Sequence, residues 1–192
     1  MKKSFLIITL ILCIVSSNII AQESKFTEIN TRFSGDDAWK DWNIRMSGEY
    51  GSMSTTFSGD DAWKDWRIDL PSIDGSISTT FSGDDAWKSW NFDFGESDGS
   101  MSTLFSGDDA WKDWTVSNGT NSLSVSTVFS GSDAWKSWRI TGPGGDMEVS
   151  TVFSGDDAWK DWRISDNMPS EDAALKMAAI FVCVFSGAIL NK

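Results

Sequence analysis

The chain has 192 residues, with 28 acidic and 16 basic side chains, a net charge of −12 and no histidine. That balance argues against nucleic acid and against unaided adsorption to anionic lipid as partners. The lack of histidine removes the commonest general base and metal ligand.

The N-terminus reads as an export signal. Lys2 and Lys3 form a basic region, Phe5 to Val15 an apolar run, and Ser16-Ser17-Asn18 leads into Ile19-Ile20-Ala21. Cleavage after Ala21 is expected, because a small residue closes a run too short to span a bilayer. Cys13 follows Leu12 rather than a small residue, which argues against a lipid anchor there. The mature chain would keep 171 residues and, without Lys2 and Lys3, 14 basic against 28 acidic side chains, a charge of −14. Cys183 would be its single cysteine, so no intramolecular disulfide can form. A periplasmic, cell-surface or secreted protein of bacterial type is expected.

From residue 22 to residue 168 one unit recurs. Its core, Phe-Ser-Gly-Asp-Asp-Ala-Trp-Lys-Asp-Trp, begins at Phe33, Phe57, Phe81, Phe105, Phe129 and Phe153, always 24 residues apart. All twelve tryptophans belong to it, two per copy. Such a period marks a repeat architecture. Before each Phe runs an alternating segment, as in Ser76-Ile77-Ser78-Thr79-Thr80-Phe81, which predicts a strand with Ile77, Thr79 and Phe81 on one face. After the second Trp a further alternation predicts another strand, with Trp66, Ile68 and Leu70 facing one way and Arg67 and Asp69 the other. Asp74-Gly75, Asp98-Gly99 and Asn118-Gly119 are read as the turns between strands. Within the core, Ser34 and Asp37 have the spacing of a capping box, so one helical turn is expected there, with Trp39 and Trp42 sharing a face.

Residues 169–192 read as an apolar helix. Ser170 is placed as its cap, with Glu171 and Asp172 in its first turn. From Met177 to Leu190 there is no charge, so the helix is apolar all round and should be buried on all sides. That length suits a core helix better than a membrane span.

Two folds compete for the repeats: a β-solenoid, and a closed twelve-stranded antiparallel barrel of six hairpins. In a solenoid the Asp37 series would stack about 4.8 Å apart as a column of like charges. In a barrel, equivalent positions lie two strands apart, and Asp of one copy can alternate with the Lys40-type residue of its neighbour. Twelve tilted strands would enclose a diameter of roughly 24 Å, which leaves room for one helix about 10 Å across. The expected fold class is therefore all-β with a C-terminal helix, the helix packed inside the barrel.

From Phe26 to Leu190 this arrangement resembles the Tubby-like barrel shared by phospholipid scramblases, and the shallow hairpin-petal barrels called β-flowers. The resemblance implies strands closing around an apolar C-terminal helix. For Tubby-like domains it implies contact with membrane lipids through basic residues. It is a likeness of architecture, and no residue role is carried over with it.

Two sets of residues are candidates for chemistry. Asp36, Asp37, Asp60, Asp61, Asp84, Asp85, Asp108, Asp109, Asp133, Asp156 and Asp157 offer oxygen ligands for calcium, with capping and solvation as the competing reading. Trp39, Trp63, Trp87, Trp111, Trp135 and Trp159 lie in the connecting turns, where they either seal the barrel rim or present aromatic surface to a glycan or a membrane. Asn118-Gly119-Thr120 has the form of a glycosylation sequon. Near-identical units carry no specialised catalytic group, so a non-enzymatic binding or scaffold protein is expected. A calcium-assisted lectin is the alternative, and no other cofactor is expected.

Overall fold

The computed structural model describes residues 24–190, so the export-signal reading of residues 1–21 lies outside it. The strands follow the repeat. They are β1 (Phe26–Thr31), β2 (Asp41–Met46), β3 (Glu49–Thr55), β4 (Asp65–Leu70), β5 (Ile73–Thr79) and β6 (Ser89–Asp93). Then come β7 (Asp98–Thr103), β8 (Asp113–Ser117), β9 (Ser122–Thr127), β10 (Ser137–Gly142), β11 (Gly145–Thr151) and β12 (Asp161–Asn167). Each pairs antiparallel with its sequence neighbours, and β1 pairs with β12 through Ile29 opposite Trp162, which closes the barrel. The solenoid is thereby set aside. With up-and-down connectivity, all six conserved turns lie at one rim and all the variable turns at the other.

Alternation decides what faces inward. Ile29, Met53, Ile77, Met101, Val125 and Val149 on the first strands are fully buried, as are Trp42, Trp66, Trp90, Trp114, Trp138 and Trp162 on the second. Arg67 and Asp69 face solvent, as period-two alternation requires.

Four local expectations need correction. The repeat phenylalanines are not part of the inward face: each first strand ends at its threonine, two residues earlier, and Phe33, Phe57, Phe81, Phe105, Phe129 and Phe153 are 57–64% exposed. Thr31 lies opposite Trp42, whose indole already fills the inside of the rim, so the chain turns away before Phe33. Asp74-Gly75 and Asp98-Gly99 lie inside β5 and β7 rather than in turns. The β4–β5 turn is Pro71-Ser72, and Gly75 is needed because a Cβ there would stand 1.9 Å from the Asp93 carbonyl oxygen. No capping box forms at Ser34, and the cap position of the turn that follows is Asp37, without a side-chain bond. At the C-terminal helix the cap is Asp172 rather than Ser170, and its Oδ1 accepts from the Ala174 amide at 3.0 Å.

The helix α1 (Ala173–Phe185) enters from the variable rim and continues as a π-helical turn, Ser186–Leu190, that reaches the conserved rim. At its entrance the Asp172 carboxylate also accepts from Ser97 and Asn118, and Glu171 accepts from Asn121 and the Gly144 amide. Phe181 and Phe185 pack edge-on against Trp90 at 5.1 and 4.9 Å. On the opposite side Gly187 lets the helix end lie against Trp162, where a Cβ would stand 2.7 Å from the indole. Burial pushes the Cys183 thiol well above its usual range, and its Sγ donates to the Ala179 carbonyl.

Candidate functional site

The conserved rim is built six times from the same atoms. After each Phe comes Ser-Gly, and the glycines Gly35 to Gly155 hold φ between +97° and +108°, where a side chain would be strained. This sharp reversal lets Ala38 donate to the Gly35 carbonyl and starts the 3-10 turn Ala38–Lys40. The buried methyl of Ala38 faces inward, which leaves Asp36 and Asp37 outside and brings Trp39 over the barrel mouth.

The two tryptophans of a copy then do different work. The Trp42 indole N–H donates to the Trp39 carbonyl oxygen at 2.6 Å, and the bond recurs in all six copies at 2.6–2.7 Å. Meanwhile the Trp39 ring packs against Trp66 of the next copy, 6.2 Å between centroids. The pattern continues through Trp63–Trp90, Trp87–Trp114, Trp111–Trp138 and Trp135–Trp162, and Trp159–Trp42 closes the circle. Twelve indoles thus form one continuous ring around the mouth.

Charges are arranged within each copy. Lys40 Nζ is 2.7 Å from Asp37 and 5.3 Å from the Trp39 ring centre, and the other five copies repeat both contacts. The pairing expected between neighbouring copies is therefore replaced by pairing inside each turn, because residues three apart on a helical turn already face each other.

The Trp39 series consequently lies in the seal of the rim. Trp135 and Trp159 are buried, and Trp39, Trp63, Trp87 and Trp111 are half-buried, each with a neighbouring indole at its edge and its own lysine over the ring. The exposed aromatic surface of the rim belongs to the phenylalanines. Among the aspartates, Asp36, Asp60, Asp84, Asp108 and Asp156 are exposed, and the Asp37, Asp61, Asp85, Asp109, Asp133 and Asp157 carboxylates hold the lysines. Among the described residues no three acidic, cysteine or histidine side chains converge in the manner of a metal site. Between the fifth and sixth turns lies a recess of about 420 Å³, lined by Ser132, Asp133, Lys136, Asp156, Trp135 and Trp159.

Reasoning from the sequence overlooked the phenylalanine crown. A signal was there: Leu104-Phe105, Val128-Phe129 and Val152-Phe153 place two apolar residues in succession, and period-two alternation cannot bury both.

No protein family matches this chain, and comparison with curated proteins and with solved structures found no match either.

Proposed function

We propose that this is an exported, non-catalytic binding or scaffold protein whose interaction surface is the conserved rim. The observation that carries the reading is the crown of phenylalanines at 57–64% exposure, repeated in every copy although no interior packing calls for it. At roughly 60% of a phenylalanine's surface each, the six present on the order of 700 Å² of apolar surface in total, distributed around one rim. Six equivalent contacts on one rigid barrel convert weak single interactions into avidity. The Trp39 series supports the crown from beneath as the seal of the rim. Export rests on the Lys2–Ala21 pattern.

The test is a panel of glycans with and without calcium, phosphatidylcholine vesicles, and amphipathic peptides of either charge. It is applied to the wild type and to a variant with all six crown phenylalanines changed to Ser. The variant should keep its circular dichroism and lose whatever the wild type retains. Undiminished retention by the variant, or turnover in a hydrolase screen that one point substitution abolishes, overturns the reading. The calcium-assisted lectin is favoured by the exposed Asp36 series alone, and calcium-dependent retention of a glycan would establish it.

A further inference from the structure

The six copies are not equal at the rim. In copies one to three the residue before the crown phenylalanine is polar: Arg32, Thr56 and Thr80. In copies four to six it is Leu104, Val128 and Val152, themselves 61%, 41% and 42% exposed. These copies are consecutive in the barrel, so the three dipeptides form one apolar sector. Its exposed apolar surface is on the order of 500 Å².

Acidic residues frame this sector. Copies four and six each carry two aspartates in the turn and a half-buried third at the start of the following strand: exposed Asp108, Asp109 held by Lys112, and Asp113 in one, and exposed Asp156, Asp157 held by Lys160, and Asp161 in the other. Copy five, in the middle, has Ser132 and Ser137 at two of those positions and keeps only Asp133, which Lys136 already holds at 2.8 Å. The result is a net-neutral apolar centre at Val128 and Phe129 with the exposed carboxylates of Asp108 and Asp156 on its two flanks, the layout of an interface core inside a charged rim.

From this asymmetry we infer that the partner is a cationic amphipathic chain, seated on the sector of copies four to six. The inference rests on the rim being the interaction surface and adds the chemistry of what sits there. A second copy of this chain or an anionic bilayer would bring like charge against the flanking aspartates. A zwitterionic bilayer would bury those carboxylates without supplying a counter-charge. A helix with one apolar face and lysines along its edges meets both requirements. The three copies span an arc of roughly 25 Å, the length of a helix of about 16 residues.

The probe is an 18-residue helical peptide of Leu and Lys, titrated into the full chain while tryptophan fluorescence is read. A Leu/Glu peptide with the same apolar face and phosphatidylcholine vesicles serve as comparisons. The Leu/Lys peptide should bind at least tenfold more tightly than the Leu/Glu peptide, and added salt should weaken it. The V128S/F129S/V152S variant should lose at least tenfold, and F57S/F81S less than twofold, with melting curves confirming that both stay folded. Equal loss in the two variants overturns the sector and leaves the rim reading standing. Vesicle binding without peptide binding, or binding of neither, overturns the cationic partner and likewise leaves the rim reading to the glycan panel. Peptide binding that survives Ser at all six crown positions overturns both.

Discussion

Lys176 and Asp166 form an ion pair of 2.9 Å in which both side chains are out of reach of solvent. The pair joins three parts of the fold. Lys176 Nζ also donates to the carbonyl oxygens of Ser24 and Met168, and Asp166 accepts from the amides of Phe26 and Met168. Helix, last strand and first strand therefore meet at one buried network beside the β1–β12 seam. Removing one member leaves the other charge buried without its partner, which costs about 3–5 kcal/mol. Lys176→Met should lower stability by that amount in urea unfolding. In an Asp166→Asn background the same substitution should cost clearly less, because no carboxylate is then stranded. Equal costs in the two backgrounds would show that the ion pair is not what holds the seam.

The tail should be indispensable to folding. From Leu175 to Phe185 every side chain is buried, and the strands around them face a space that water would otherwise enter. Each large apolar side chain contributes about 1.5–3 kcal/mol on burial, while a whole domain has a net stability of only about 5–15 kcal/mol. A chain ending at Lys176 should lose its near-ultraviolet tryptophan signal and aggregate on gel filtration. A truncated protein that elutes as a folded monomer would mean that the barrel needs no plug.

Within the indole ring, substitutions at the Trp39 series should be graded by burial. Trp135 and Trp159 are 7% and 6% exposed, and the π-helical turn lies against both of their 3-10 turns. Converting either to Ala should cost about 3–5 kcal/mol, as for other buried aromatic side chains. The half-buried Trp39, Trp63, Trp87 and Trp111 should cost less. Denaturant midpoints of the six single variants test the order, and a uniform loss would mean that the helix end does not break the ring's symmetry.

How far the sequence disclosed this fold depends on where local pattern decides. Trp66, Ile68 and Leu70 against Arg67 and Asp69 is strict alternation, and the strand follows it; the uncharged stretch from Met177 to Leu190 states its own burial. The crown was legible only in part. Phe81 continues the parity of Ile77 and Thr79, and what expels it is the bulk of Trp90, which lies across from Thr79 on the neighbouring strand. Asp74-Gly75 has the composition of a turn, yet the glycine is there because β6 passes too close for a Cβ. Lys176 reads as the last charge before an apolar helix, while its burial depends on acceptors from Ser24, 152 residues away in sequence, and from Asp166, ten residues earlier on β12. In each case the decisive neighbour lies on another strand, and local periodicity does not carry that information.

Asp161 offers a test in which the sign of a pH effect is fixed in advance. Its carboxyl is held above the ordinary range, first by partial burial and then by the charge of Glu28 on β1. The location explains why. Asp161 lies opposite Asn30 at the seam, two residues from Glu28, whereas Asp41, Asp65 and Asp113 have serines at both corresponding positions. Where the other acidic neighbour occurs, Glu148, the residue in the Asp161 position is Ser137. Because the folded protein binds this proton more tightly than the unfolded chain, Asp161 costs stability once ionised. The penalty is absent below the unfolded value of about 3.9, grows as pH rises through the folded value, and is complete at neutral pH. Asp161→Asn should therefore raise the unfolding midpoint at pH 7 and leave it unchanged near pH 3, about one unit below that unfolded value. Glu28→Gln should raise the pH 7 midpoint of the wild type more than that of the Asp161→Asn variant. Urea unfolding at the two pH values reads both effects. Destabilisation by Asp161→Asn at pH 7 would mean that the carboxylate makes a favourable contact that outweighs its burial.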